Sequence, residues 1–197
     1  SNKNNESYVA WVFKGGGDAV NIGVNSITGS TPSIASDVSA NTEAGFSIVK
    51  YTGNGTAGAT IGHGLSSTPE FIITKGLSGT DPVTNWKVYN STIGNTKYLH
   101  LNATIAAASA SVWNNTSPTS SVFSLGSSAD NNGNGTIFIA YCWHSVAGYS
   151  KIGSYPSTGS AGLEITGLGF APSFVMIKNI SDVGSWIIHS KPPTTTN

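Results

Sequence analysis

Carboxylates are the side chains in this sequence best suited to acid-base chemistry, because a pair of Asp or Glu residues can hydrolyse a glycosidic bond. The chain has nine, spread thinly, and no two share a predicted strand face. Glu70 and Glu164 fall near predicted strand starts, where a solvated side chain is the ordinary explanation. We therefore predict no catalytic residue, and a carboxylate pair assembled across strands remains the enzymatic alternative.

One Asn-rich loop has the spacing of calcium ligands. Asp130, Asn132 and Asn134 alternate and a glycine stands at the sixth position, as at the start of a calcium loop. The twelfth position holds Tyr141 instead of the bidentate Glu that such loops need. A tight turn leading into the next strand explains these residues as well, so the sequence assigns no metal ligand and leaves calcium open.

The histidines and the single cysteine do not form a recognisable site. His63, His100, His144 and His189 are isolated from one another, and Gly-x-Ser-x-Gly does not occur. Cys142 stands alone in an apolar run, which predicts a buried thiol and excludes an intrachain disulfide. We expect no metal and no cofactor.

The charge content excludes several partners. Charged residues make up 9% of the chain, all nine basic residues are Lys, and the formal net charge is zero. A nucleic-acid surface needs a basic patch, usually with Arg, so nucleic acid is not an expected partner. No apolar stretch approaches the roughly 18 residues of a membrane span, so no membrane insertion is expected.

Short apolar or alternating runs separated by Gly, Asn and Ser predict β-strands joined by turns. We predict an all-β antiparallel sandwich, jelly-roll-like, with an internal repeat and little or no helix. The stretch 103–112 is Ala-rich but lacks a clear apolar face, which favours a loop or irregular strand. The clearest strands cover 8–13, 45–51, 70–75, 85–90, 97–102, 121–125, 136–143, 148–155, 173–178 and 184–189.

The repeat is the most informative feature. Residues 69–75 (PEFIITK) are matched by 172–178 (PSFVMIK), residues 86–89 (WKVY) by 186–189 (WIIH), and the turn 51–55 (YTGNG) by 155–159 (YPSTG). A leading strand also repeats, because 8–13 (YVAWVF) resembles 138–143 (FIAYCW). Glycine for positive φ, proline at a strand start and tryptophan in a core give each position a structural reason.

The repeat divides the chain into two predicted units. Residues 1–137 form a complete β unit with a surface-loop insertion at about 15–44, and residues 138–197 form a second, truncated unit packed on the first. The truncation leaves at least one strand edge without its partner within the chain, and an open edge is a template for another chain. We therefore expect self-association through a neutral surface and strand edges.

Aromatic side chains suggest a further possibility, because sugars pack on exposed flat rings. Trp11, Trp86 and Trp186 lie in the repeat or in predicted strands, which favours core packing. Trp113 lies outside the repeated core and before two Asn residues, so it is the aromatic residue that we expect to be exposed. No ligand-binding residue is assigned.

Several motifs resemble repeat modules of long tail-fibre or other virion proteins of marine tailed phages. The resemblance covers most of the chain and is carried by 10–11 (AW), 44–49 (AGFSIV), 51–55 (YTGNG), 63–65 (HGL), 69–73 (PEFII), 98–102 (YLHLN), 123–126 (FSLG) and 140–143 (AYCW).

The resemblance implies placement in the virion, outside the cell, and a non-enzymatic structural or receptor-binding role in a tail fibre. The implied partners are copies of the chain, in a trimer if it follows the habit of such fibres, other virion proteins and a host surface glycan. The alternatives are a capsid decoration or surface-lattice protein and a polysaccharide-degrading tailspike segment. The resemblance supplies no site residues.

Overall fold

The computed structural model describes Ala10, residues 12–79 and residues 85–191. It is nearly all β, with 34% strand and 4% helix, which confirms the predicted all-β antiparallel sandwich. The helical residues that the structure describes lie in a 3-10 turn, Ser111–Trp113, and in one short helix, α1 (Ala129–Asn132). Among the described residues, no helix has the length and apolarity needed to cross a membrane.

In the described part of the chain, one sheet of eight strands dominates the structure. Its strands are β1 (Val20–Ile22), β2 (Ser36–Asn41), β3 (Phe46–Thr52), β5 (Phe71–Ser78), β6 (Lys87–Asn90), β7 (Lys97–His100), β8 (Ala108–Ser109) and β10 (Ile137–Trp143). They lie in the order β1-β2-β3-β10-β5-β6-β7-β8. Two smaller sheets pair β4 (Ala59–Gly62) with β9 (Val122–Leu125) and β11 (Phe174–Ile177) with β12 (Ile187–Ser190).

Strand β10 lies at the centre of the large sheet. It pairs antiparallel with β3 on one side and with β5 on the other. Its burial alternates residue by residue, as the period of two of a strand requires, and Phe138, Ala140 and Cys142 are fully buried. The prediction of a buried Cys142 is confirmed.

The second layer is the two-stranded sheet β4–β9, which packs on the face to which these side chains point. Ile61, Phe123 and Leu125 of this sheet belong to one buried cluster with Phe138 and Tyr51 of the large sheet. The Tyr51 ring stacks on Phe138, with ring centroids 5.4 Å apart, and meets Phe123 edge-on. Aromatic packing between the layers therefore forms much of the core.

Two expectations about the first unit need correction. The stretch 15–44, expected as a surface loop, contains β1 and β2, and β2 pairs along its whole length with β3. Strand β2 joins the sheet because its first residues alternate between buried and exposed positions, and the Val38 side chain reaches the core. The predicted unit boundary at 137/138 coincides with the start of β10, so the first strand assigned to the second unit completes the sheet of the first.

Several predicted strands begin and end within a residue or two of their predicted bounds, whereas other predictions do not match the structure. The predicted strand 148–155 is wrong, because Ser150 makes only an isolated bridge with Val146. The stretch 103–112 contains β8 and the start of the 3-10 turn. The predicted strand 8–13 lies largely outside the described residues, which include only Ala10, Val12 and Phe13 of it.

Candidate functional site

Lys87 is the centre of a polar cluster inside the first unit. Strand β6 places it in a buried position, where Nζ lies 2.9 Å from Oδ2 of Asp130 and 3.2 Å from Nε2 of His100. Nζ also lies 3.9 Å from the centre of the Tyr98 ring. Asp130 reaches the cluster from α1, and its Oδ1 accepts the Asn85 N–H at 3.0 Å. Two strands and the short helix thus meet at one ammonium group.

The electrostatics of the cluster favour a fixed ion pair. Burial opposes the ionisation of Asp130, but Lys87 and the Asn85 N–H outweigh it, and the pKa of Asp130 is lowered. Burial, and then the charge of Lys87, lower the pKa of His100. Neutral His100 accepts from Lys87 through Nε2, so its proton sits on Nδ1, a buried atom without a hydrogen-bond partner in the described structure.

A shallow cavity of about 260 Å³ opens beside the cluster. It is lined by Lys87, Tyr98, Ala110, Ser111, Val112, Ser127 and Ser128. The ammonium group of Lys87 already contacts a carboxylate, an imidazole and an aromatic face, so it ties strands together and is not free to act as a nucleophile.

The loop with calcium-like spacing is occupied by protein contacts. Both carboxylate oxygens of Asp130 are engaged as described above. The Asn132 side chain donates to the carbonyls of Gly126, at 2.7 Å, and Thr56, at 3.0 Å, and accepts the Asn54 N–H at 3.0 Å. In the described part of the chain, no group of three or more His, Cys, Asp or Glu residues is arranged to hold a metal ion.

These contacts fasten the loop to the repeated Tyr turn. The Tyr51 hydroxyl donates to the Asn131 carbonyl at 2.7 Å, and Gly55 N–H donates to the Asn132 carbonyl at 2.8 Å. A Cβ at Gly53 would lie 2.5 Å from the Gly133 carbonyl oxygen, so only glycine allows this close approach. The turn and the Asn-rich loop therefore form one clamp where β3 ends and β10 begins.

Two histidines that are distant in sequence lie close together. Nδ1 of buried His63 accepts the Leu65 N–H at 3.2 Å, so Nε2 carries the proton and donates to the Thr119 carbonyl at 3.1 Å. Burial lowers the pKa of His63 to about 4, and the nearby His144 adds to this lowering. His100 is buried elsewhere, and His189 is exposed on β12.

The other residues considered for chemistry are dispersed. Glu70 accepts the Ser145 N–H beside β5, whereas Glu164 is exposed in the second unit. The prediction that Trp113 is exposed is wrong, since 2% of its surface is accessible and its ring packs edge-on against Tyr89. Trp86 and Trp186 pack against a second core cluster, as expected. Trp11 lies outside the described residues.

The second unit repeats one hairpin of the first in the same register. Phe71 pairs with Asn90 in β5–β6, and Phe174 pairs with Ser190 in β11–β12. The hydrogen bond that follows the hairpin is also repeated, from Ser91 N–H to the Glu70 carbonyl and from Lys191 N–H to the Ser173 carbonyl, each at 2.8 Å. The sequence repeat is therefore a structural repeat over this hairpin.

The repeated positions differ sharply in burial. Tyr51, Ile61 and Val88 are at most 2% exposed in the first unit. Their counterparts Tyr155, Ile165 and Ile188 are 42%, 45% and 40% exposed. Monomeric proteins rarely leave such apolar groups uncovered together, and larger exposed patches mark interaction surfaces. These exposed apolar residues make the second unit the best candidate interface in the described structure.

The hairpin of the second unit is anchored to the first unit at its turn. Trp186 donates through Nε1 to the His100 carbonyl at 2.8 Å. Gly184 N–H donates to the Thr104 carbonyl, and Ala107 N–H donates to the Ile180 carbonyl. These bonds hold the hairpin in place and leave the apolar residues of the unit accessible.

Strand β5 and its counterpart β11 differ in their pairing partners. In the first unit, β5 has β6 on one side and β10 on the other. In the described part of the chain, β11 pairs only with β12.

Comparison with known families gives one match. A family model described as "Domain of unknown function (DUF7483)" matches residues 1–197. No curated protein and no solved structure matches the chain.

Proposed function

We propose that this chain, which belongs to the DUF7483 family, is a non-enzymatic structural module of a phage tail fibre or other virion appendage. The observation that supports it most is the position of β10. By sequence β10 begins the second repeat, yet it is the central strand of the first unit's sheet, with seven residue pairs to β3 and seven to β5. Successive units are thus interlocked.

Interlocking suits a protein that transmits load along its length. Force applied through the second repeat is carried into β10, which is held in two ladders and by the buried side chains of Phe138, Ala140 and Cys142. A flexible linker between independent domains would offer no such resistance. The resemblance to virion modules supports the same role.

The surface supports assembly through short-range contacts. Charged residues make up 9% of the chain and cancel, so long-range steering between copies is weak. Self-association, contact with other virion proteins and attachment to a host surface glycan are the partners that fit an extracellular virion module. The exposed apolar residues of the second unit favour self-association over the others.

Self-association is tested by sedimentation of the purified chain at increasing concentration, in about 0.1 M and about 1 M NaCl. We expect assemblies at both salt concentrations, because apolar and strand-edge contacts are not screened as ion pairs are. A chain that stays monomeric at high concentration, or whose assemblies dissolve in high salt, would contradict the proposal.

Placement in the virion needs its own experiment. Antibodies against the purified chain should label an appendage in electron micrographs of the phage particle. Labelling spread over the capsid would favour a decoration or lattice protein instead. Release of reducing ends from host polysaccharide, lost in Glu70→Gln or Glu164→Gln, would establish the enzymatic alternative.

A further inference from the structure

We infer that the clamp between the turn 51–55 and the Asn-rich loop blocks deamidation at the Asn-Gly sequences of this chain. Asn-Gly occurs at 54–55, 132–133 and 134–135 and at no other position, although asparagines occur along the whole sequence. Every Asn-Gly therefore lies in the clamp. This protection goes beyond the proposed structural role, because it concerns how long the folded chain remains chemically intact in water.

Deamidation of asparagine at neutral pH begins with an attack by the backbone. The amide nitrogen of the following residue loses its proton and bonds to the side-chain carbonyl carbon, and ammonia leaves as a succinimide ring closes. Water then opens the ring at either carbonyl, which leaves Asp or isoaspartate in place of Asn. A following glycine makes the attack easiest, because no Cβ hinders the nitrogen or restricts the backbone. The reaction needs no reagent besides water.

The clamp holds the attacking nitrogens of the first and the third sequence. Gly55 N–H, the nucleophile at 54–55, donates to the Asn132 carbonyl at 2.8 Å. Gly135 N–H, the nucleophile at 134–135, donates to the Gly53 carbonyl at 2.9 Å. Each hydrogen bond runs between the turn and the loop. It must break before the nitrogen can lose its proton and approach the asparagine side chain.

The second sequence, 132–133, is protected at the other reacting group. The Asn132 side chain is fully buried, donates to the Thr56 and Gly126 carbonyls and accepts the Asn54 N–H. Ring closure would have to turn this amide out of all three hydrogen bonds and leave their partners unpaired. The same bonds join the sites to one another, so one opening of the clamp exposes them together.

The repeated turn of the second unit lacks both the clamp and the asparagine. Gly159 has the φ of Gly55, +70°, but no atom lies within 4 Å of a Cβ built at Gly159 in the described structure. The residue before it is Thr158, whose side chain has no carbonyl carbon to attack. Asn-Gly thus stands in this turn where the clamp covers it and is replaced where the turn is open.

The first test compares deamidation in folded native protein and in the same protein unfolded in urea. Peptide mapping by mass spectrometry detects the exchange of an amide for a carboxyl group at each asparagine, and isoaspartate identifies the succinimide route. At about pH 8 we expect each site to react at least about tenfold more slowly in the folded chain, because reaction requires the clamp to open. Equal rates in folded and unfolded protein would overturn the inference.

Gly53→Ala loosens the clamp and leaves every Asn-Gly sequence intact. Its Cβ would lie 2.5 Å from the Gly133 carbonyl oxygen, so the turn and the loop must move apart. Gly153→Ala is the matched control, because no atom lies within 4 Å of a Cβ at that position. We expect Gly53→Ala to deamidate at least about threefold faster than native protein and Gly153→Ala to keep the native rate.

A core variant separates opening of the clamp from unfolding of the whole protein. Ile61→Val removes one methyl group at a fully buried position, which should cost about 1 kcal/mol of stability without changing a hydrogen bond of the clamp. We expect its asparagines to react at the native rate. Acceleration as large as that in Gly53→Ala would show that the protection belongs to the fold as a whole and would overturn the inference.

Tyr51→Phe provides a second clamp variant with less disturbance of the backbone. It removes the hydroxyl that donates to the Asn131 carbonyl at 2.7 Å and keeps the ring that stacks on Phe138. Tryptophan fluorescence shows which variants remain folded, and if Gly53→Ala does not fold, Tyr51→Phe decides. Faster deamidation at all Asn-Gly sites in a folded clamp variant supports the inference, and native rates in every folded clamp variant overturn it.

Discussion

His63 should make the protein unfold more easily in mild acid. Its ring is fully buried, with Nδ1 accepting the Leu65 N–H and Nε2 donating to the Thr119 carbonyl. A second proton on Nδ1 would face that N–H donor, and burial lowers the pKa of His63 to about 4. The unfolded chain binds this proton near pH 6.5, so between about pH 6.5 and pH 4 it holds more protons than the folded chain. The free energy of unfolding therefore decreases as the pH is lowered through this range.

The size of the effect follows from the two pKa values. Each pKa unit corresponds to about 1.4 kcal/mol, so His63 should lower the free energy of unfolding by about 2 kcal/mol between about pH 7.5 and pH 5. The full effect, about 3 kcal/mol, is reached below pH 4. The titration of all other groups is common to the native protein and the His63→Gln variant, so it cancels when the two are compared at each pH.

The assay is urea unfolding followed by tryptophan fluorescence, with native protein and His63→Gln at each pH. The substituted amide cannot titrate and retains an N–H for the Thr119 carbonyl, so the difference in unfolding free energy isolates the proton on His63. His189→Gln, at an exposed histidine, is the matched control and should behave as the native protein does. A difference between native protein and the His63→Gln variant that stays constant from pH 7.5 to 5 would refute the reasoning.

Three further predictions concern buried polar groups. Asn132→Ala should lower the free energy of unfolding by about 3 kcal/mol in urea titrations, because two carbonyls and one N–H lose their partner; a loss under about 1 kcal/mol would contradict the clamp. Lys87→Met and Asp130→Asn should each cost about 2 kcal/mol, and their double variant should cost less than the sum; additive losses would show that the ion pair is uncoupled. Native Cys142 should resist iodoacetamide at about pH 8 and react on unfolding, because burial raises the pKa of its thiol to about 12; rapid alkylation, read by mass spectrometry, would contradict its burial.

The fold class and many strand positions could be predicted because alternation and turn residues are local signals. Strand β10 was evident from its apolar run, and the hairpin β11–β12 from its match to β5–β6. The partners of β10 could not be predicted, because pairing with β3 and β5 depends on contacts between segments far apart in sequence. Strand β2 was missed because its Ser, Asp and Ala residues look like a loop until β3 lies beside them.

The environment of the candidate site residues also depends on segments far apart in sequence, and so could not be predicted. The Asn-rich loop was recognised as a turn or a calcium loop, but the carbonyls that bind Asn132 come from Thr56 and Gly126, on other segments. Trp113 was expected to be exposed because two Asn residues follow it, yet the 3-10 turn directs its ring into the core. Local polarity does not report the direction of a side chain when a turn intervenes.

The central position of β10 also has a consequence for the order of folding. Strands β3 and β5 precede β10 in the chain but are not neighbours in the sheet without it. During synthesis, apolar residues such as Val49 and Ile72 therefore cannot be buried beside β10 until the chain has extended past Trp143. Long-range pairing of this kind slows folding and prolongs the exposure of aggregation-prone segments. We expect nascent chains ending before residue 137 to be protease-sensitive and chains extended past residue 143 to become resistant.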